Sequence, residues 1–353
     1  MALKIIDFTR MNIYKSLFLF IALFSIASYS QEGIPVYADY LSDNLYLIHP
    51  SMAGAGNANK IRLTARKQWF DVDNAPSTQS ANINFRTGDK VGLGGVVYRD
   101  ENGRFSQTGF YATFAYHLLF SRDRTDLNML SFGLSGAIIQ SNVDLRGLDD
   151  PFDPDPVILD RVQKDAYFNA DFGMSYNYLD WYAHFTVKNL LPTARDIFDN
   201  TDDPNISVRD SNNQRRYIFS TGYTFSVYGP WSLEPSMMFQ ATDETQESTF
   251  DLNLKAYYGL ENALLWGGLS YRRSLDGAEF SQNGTSIESQ QLQYFTPFIG
   301  VNYKKWMVGY TFSYQSNSVV LSNGGFHQLT LGYDFGKREE RWDCNCPAVN
   351  SKN

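Results

Sequence analysis

The chain has 353 residues, of which 43% are apolar, 16% aromatic and only 19% charged, with 26 Gly, two Cys and a net charge of -8. A mean hydropathy of -0.35 excludes a bundle of membrane helices, each of which needs about 20 mostly apolar residues, and the aromatic content argues against disorder. The acidic balance disfavours nucleic acid as a partner, and two cysteines in the last ten residues cannot staple a fold.

Lys15 precedes an apolar run from Ser16 to Ala27, which ends in Ser28-Tyr29-Ser30 before Gln31. A basic start, a stretch too short to span and small residues three and one before Gln31 make a cleavable leader. Residues 1–30 are therefore expected to be a signal peptide, with Met11 reading as its start, and the protein is expected to leave the cytoplasm. Residues 31–60 show no alternation. Their Gly/Ala-rich stretch Ser51–Asn57 suits a periplasmic or plug-like segment, and His49 to Gly56 is expected to fold into a barrel mouth.

From residue 61 to 335 apolar and polar residues alternate in successive runs. Phe250, Leu252, Leu254, Ala256 and Tyr258 oppose Asp251, Asn253 and Lys255; Phe168, Ala170, Phe172, Met174 and Tyr176 oppose Asn169, Asp171, Gly173 and Ser175. A period of two puts one face in an apolar medium and the other in a polar one. The pattern predicts fourteen strands, at 61–70, 78–86, 91–99, 105–120, 127–140, 167–178, 181–190, 215–228, 231–242, 249–260, 263–273, 290–302, 305–315 and 326–335.

The connections sort by length. Short turns such as Leu179-Asp180, Gly229-Pro230, Glu261-Asn262 and Tyr303-Lys304 alternate with long or polar segments such as 141–166 and 191–214. Short turns at one end and long loops at the other describe an antiparallel outer-membrane barrel. In lipid such a sheet must close so that every backbone group is paired. Tyr176, Tyr178, Trp181, Tyr182, Tyr228, Trp231, Tyr303 and Trp306 gather at the short-turn end, as an interfacial girdle does. The fold class expected is all-β, a transmembrane antiparallel barrel over 61–335 with a plug-like N-terminal segment. Residues 336–353 follow as a short periplasmic tail.

Little catalytic chemistry is visible. His49, His117, His184 and His327 lack the paired spacing of a zinc site, and read as lumen, interface or mouth residues. No nucleophile elbow, phosphate loop or metalloprotease helix appears, so the reading is a non-enzyme that needs no cofactor. Asp149, Asp150, Asp153, Asp155 and Asp160, and then Asp199, Asp202 and Asp203, make two long connections acidic. They read as a solvated negative rim, with calcium as the weaker alternative. Arg62, Arg66, Arg86, Lys188, Asp251 and Lys255 should point inward, paired around a plug or, less favoured, lining a pore. Cys344 and Cys346 form a tail pair: incidental, disulfide-bonded, metal-binding or a candidate partner contact.

Several short motifs point the same way. Asn44, His49-Pro50 and Ala53-Gly54 resemble the "NP…AG" opening motif of the PorP/SprF family of type IX secretion membrane proteins. Arg66-Lys67-Gln68-Trp69 followed by Ala75-Pro76-Ser77-Thr78-Gln79 is similar to that family's "RxQW…APxT" stretch. Val91 to Gly95, Gln107 to Ala112 and the close at Tyr333-Asp334-Phe335 also fit. His49 departs from the family's usual Asn, and the continuation to Cys346 is a second departure. The resemblance implies an outer-membrane component of the type IX secretion and gliding apparatus of Bacteroidota. It further implies partners among periplasmic lipoprotein or ring subunits, a secreted cargo such as an adhesin, and outer-membrane lipid. The motif residues Asn44, Pro50, Gly54, Arg66, Gln68, Trp69, Pro76 and Gln79 become candidate structural or partner-binding positions. Without the resemblance, the alternative is a substrate-specific porin or transporter.

Overall fold

The computed structural model describes residues 38–69, 74–121, 126–146, 162–191, 214–243, 245, 247–280, 288–316, 324–336, 342 and 344–349. The expected signal peptide and the acidic clusters at 149–160 and 199–203 lie outside the described residues.

Three single 3-10 turns, Ala38–Ser42, Leu45–Leu47 and Pro50–Met52, precede an all-antiparallel sheet. Its strands are β1 (Asn59–Gln68), β2 (Ser77–Thr87), β3 (Val91–Asn102), β4 (Phe105–Leu119), β5 (Asn128–Asp144), β6 (Val162–Tyr178) and β7 (Trp181–Lys188). Then come β8 (Arg216–Tyr223, resuming after Thr224 as Phe225–Ser226), β9 (Trp231–Thr242), β10 (Ser248–Gly259), β11 (Ala263–Phe280), β12 (Glu288–Tyr303), β13 (Trp306–Gln315) and β14 (Phe326–Phe335). Each strand pairs with its sequence neighbours, and β1 pairs with β14 from Asn59↔Phe335 to Gln68↔Phe326. The sheet is thus a closed barrel of fourteen strands.

Alternation along each strand decides which face is which. Leu63, Phe110, Phe114, Leu134, Ile138, Phe168, Leu252, Leu254, Leu269 and Ile299 are exposed on the outer wall. Arg62, Thr64, Asn82, Thr113, Asn169, Asp171, Asp251 and Lys255 are buried on the inner one. An apolar belt outside and a polar lining inside invert a soluble protein, and only lipid rewards that inversion. Tyr178, Trp181, Tyr223, Tyr228, Trp231, Tyr303 and Trp306 stand exposed around the short-turn end, with Trp231 against Tyr258 and Trp306 against Tyr333. β1 starts and β14 ends at this same end, which is the periplasmic side of an outer-membrane barrel.

Several strands outrun their sequence-based limits. β5 and β6 pair as far as Asp144↔Val162, and β11 reaches Phe280 opposite Glu288. Beyond the lipid both strand faces meet water, so hydropathy stops alternating while the backbone ladder continues.

Candidate functional site

The chemistry-bearing residues converge inside the barrel, where residues 40–58 fill its periplasmic half. Tyr46 Oη donates to Thr113 (2.8 Å) on β4, and Ser51 shares a hydrogen bond of 2.6 Å with Ser175 on β6. Tyr40 Oη donates to Asp251 (2.7 Å) on β10. Leu41 packs with Trp266, Phe298 and Met307 of β11, β12 and β13. The segment therefore touches walls on opposite sides of the cylinder. Fourteen strands enclose more space than side chains alone can fill, and here the chain's own N-terminal segment occupies it.

Glycines make the wall fit. A Cβ on Gly92 would overlap the Ala53 carbonyl, and one on Gly133 would overlap the Pro50 backbone. Gly54 sits at φ +64, donates its N–H to Asn84 Oδ1 (3.2 Å) and accepts from Arg86 Nε (2.8 Å). A side chain there would meet both the unfavourable φ and the β2 backbone. So the Ala53-Gly54 pair and the Val91–Gly95 run are two halves of one contact.

Charged residues tie the plug down. Lys255 Nζ donates to Asp43 (2.7 Å) and to the Leu41 carbonyl (3.0 Å), and lies over the Trp266 ring. Lys188 donates to the Leu47 carbonyl (3.1 Å), and Arg272 grips Asp251 through two nitrogens. Nearer the short turns Arg62 meets Asp334 (2.8 Å). Five of the six residues expected to point inward are thereby engaged with the plug or with opposite charges. Arg66, the sixth, lies over the Phe326 ring near the loop end.

His49 bridges β7 and β8. One ring nitrogen meets Thr186 Oγ1 at 2.8 Å and the other Ser220 Oγ at 2.9 Å. Its ring lies 4.9 Å from that of His184, which in turn stacks on Tyr182 at 4.9 Å. Among the described residues neither nitrogen of His184 has a partner. Burial, with the neighbouring His184 and Lys188, holds the His49 imidazole well below its ordinary value of 6.5. His117 bonds Ser131 (2.7 Å) and the Ala53 carbonyl (3.0 Å), while His327 meets Tyr310 (2.6 Å) on the outer face.

The tail closes the mouth beneath. Trp342, Cys344 and Val349 are buried in one cluster with Leu45, Met52 and Met129. The Val349 carbonyl accepts from the Asn57 N–H (2.8 Å) and the Ala348 carbonyl from Lys60 (2.7 Å). Asn345 reaches Asp180 on the turn before β7 and Ser232 at the start of β9. Cys344 and Cys346 are bonded to one another.

The family-motif positions split into two groups. Asn44, Pro50 and Gly54 lie in the plug, all in contact with the wall or buried within it. Arg66, Gln68, Trp69, Pro76 and Gln79 stand at the opposite, long-loop end. There the Gln68 N–H donates to the Pro76 carbonyl (2.9 Å) and the Trp69 N–H to the Gly325 carbonyl (3.0 Å). The Trp69 ring lies 6.1 Å from Phe326, and Gln79 is exposed. The stack of His49, His184 and Tyr182, and the Glu234 carboxylate that accepts from Tyr182 and Tyr257 (2.6 Å each), went unseen in the sequence. Tyr182, His184 and Glu234 stand at inward positions of β7 and β9, so Tyr182 faces the lumen and not the girdle expected of it. His49 lies in the plug, which has no alternation, and the partners of each come from distant segments.

Among the described residues no helix is long and apolar enough to cross a membrane, and no group of three metal-ligating side chains occurs. No curated protein matches the chain. Among solved structures, a Pseudomonas aeruginosa FadL homologue aligns at TM-score 0.49 and 9% identity, over 83% of this chain and 94% of its own. The CymD monoaromatic hydrocarbon channel aligns at TM-score 0.47 and 10% identity, over 88% and 96%. The family model of the type IX secretion system membrane protein PorP/SprF matches residues 29–333. With its closed lipid-facing wall and its motifs in order, this outer-membrane barrel belongs to the PorP/SprF family of type IX secretion.

Proposed function

We propose that the protein acts without catalysis, as a scaffold of the secretion machinery that supports export or surface anchoring of a secreted protein such as an adhesin. The observation that supports this reading is the occupied lumen. A barrel whose periplasmic half holds its own chain, tied by Lys255–Asp43, His49 and Ser51 and covered by Trp342, is poorly made for solute flow. Its surfaces are what remain for function: a periplasmic mouth built from tail and turns, facing periplasmic lipoprotein or ring subunits, and a loop rim facing the cargo. In planar bilayers the wild-type barrel is expected to show little steady conductance, and deletion of 38–58 to open a large one. Co-purification with a secreted protein and periplasmic subunits is the positive test. Large wild-type conductance unaltered by the deletion would instead establish a porin.

A further inference from the structure

On the lipid-facing wall the apolar belt ends sooner over β14, β1, β2 and β3 than over β5 and β6. His327, Lys67, Gln79 and Arg99 point outward on those four adjacent strands. Each lies eight residues along its strand from the short-turn end, at Phe335, Asn59, Thr87 and Val91 respectively. At about 3.3 Å per residue and ordinary strand tilt, that is about 20 Å above that end. On β5 and β6 the outward residues ten positions from the short turns are Ile138 and Phe168, still apolar and 61% and 57% exposed. Polar groups thus take over about 5 Å sooner on one arc of the barrel, at the level where the outer leaflet passes from hydrocarbon to head groups.

Cross-strand pairing sets these residues side by side. Lys67 stands opposite His327 on one flank and Ser77 on the other, and Gln79 stands opposite Arg99. The backbones of Lys67 and Arg99 are two strand spacings apart, about 10 Å, with the exposed Gln79 amide between them. His327 engages Tyr310 (2.6 Å) and the Gly324 carbonyl (3.1 Å) through its two nitrogens, so the cations of the patch are Lys67 and Arg99. Arg99 meets Glu101 one pleat further out, through Nε and Nη2. Both side chains are well exposed, and an ion pair in water yields readily to a more highly charged anion. One pleat below the patch the outward residues of β1 and β2 are Ala65 and Ala81, so the wall is shallow beneath the cations.

We propose that Lys67, Gln79 and Arg99 bind the phosphorylated head group of an outer-leaflet glycolipid, on the outside of the barrel beside the β1–β14 seam. Phosphate matches both cations: the guanidinium presents paired N–H groups to its oxygens, and the ammonium adds a point charge. The Gln79 amide donates to a sugar or ester oxygen between them. A neutral head group would leave two cations unmatched at the edge of hydrocarbon, where unpaired charge is costly. A disaccharide with a phosphate at each end, as in lipid A, suits two cations set apart in this way, and its acyl chains descend over Ala65 and Ala81. The site gives Gln79, a motif position turned away from the lumen, a ligand on the outer wall. It holds equally for a scaffold and for a porin.

The test titrates the full chain in nanodiscs with diphosphoryl lipid A and, in parallel, with lipid A stripped of phosphate, counting bound lipid by native mass spectrometry. The wild type should hold the diphosphoryl form at least about tenfold more tightly. Lys67→Gln combined with Arg99→Gln should abolish that preference, whereas Arg273→Gln, which removes an outward cation on β11, should keep it. Glu101→Gln frees the guanidinium and should tighten binding by about threefold. Heat-modifiable migration on a gel shows that each variant is folded. Equal affinity for the stripped lipid, or an unchanged preference in the folded double variant, overturns the site. Loss of the preference in Arg273→Gln makes it a property of any outward cation, and weaker binding in Glu101→Gln removes Arg99. Displacement of the lipid by excess inorganic phosphate would assign the patch to free phosphate and overturn the lipid.

Discussion

At Gly133 one hydrogen stands where any other residue would place a carbon inside the backbone of Pro50 and Ser51. A clash with backbone cannot be relieved by a rotamer change, so Gly133→Val is expected to weaken plug docking by about 1–3 kcal/mol. The variant barrel should still resist boiling-free denaturation on a gel while residues 38–58 become open to protease. His49 supplies a pH dependence. Its docked imidazole stays neutral, held well below 6.5 by burial, His184 and Lys188, whereas a released plug takes up a proton near that ordinary value. The released state then binds more protons, so docking is at full strength above about pH 6.5 and weakens as the pH falls below it. Protease nicking of the plug should rise on acidification toward pH 5 or so, and His49→Gln should flatten that rise. A flat wild-type profile would remove His49 from the account.

Among the elements, the strands were far more legible than the plug. β10 shows why: Leu252 and Leu254 meet lipid while Asp251, Asn253 and Lys255 meet the lumen, so two solvents write a period of two into the sequence. The plug has one environment on all sides and therefore no period. Its three short turns are defined by where Tyr46, His49 and Ser51 find partners on β4, β7, β8 and β6, and such partners leave no local mark. What did surface were its small residues, Ala53 and Gly54, through the family motif. The motif groups near Asn44 and near Trp69 are close in sequence, yet β1 carries them to opposite ends of the barrel. In the tail Trp342 and Val349 are scattered and follow no period, so nothing local marks them, although both are buried. Trp342 packs under Arg86 with its ring centroid 5.6 Å from the guanidinium carbon. Trp342→Ala should release the tail, at a cost of about 3 kcal/mol or more, and hydrogen exchange at 344–349 should rise while the strands stay protected.

For the molecule as a whole, the two faces of the wall set opposite tolerances. Ile299 is 66% exposed on the outside, four residues in from the Tyr303 end of β12, so Ile299→Arg places a charge in hydrocarbon and should cost about 2–4 kcal/mol of folding free energy in bilayers. The neighbouring inward Thr296, which donates to Ser313 Oγ (2.8 Å), should accept Thr296→Ser with a loss below about 1 kcal/mol. Reversible unfolding in liposomes separates the two. The seam of the cylinder has a further consequence. It joins residues 59–68 to residues 326–335, so it can form only after nearly the entire polypeptide has arrived. The segment just ahead of β1 arrives first, and its resting place has no walls until the later hairpins curve round it. Its contacts with walls on opposite sides of the cylinder are therefore complete only once that last joint has closed.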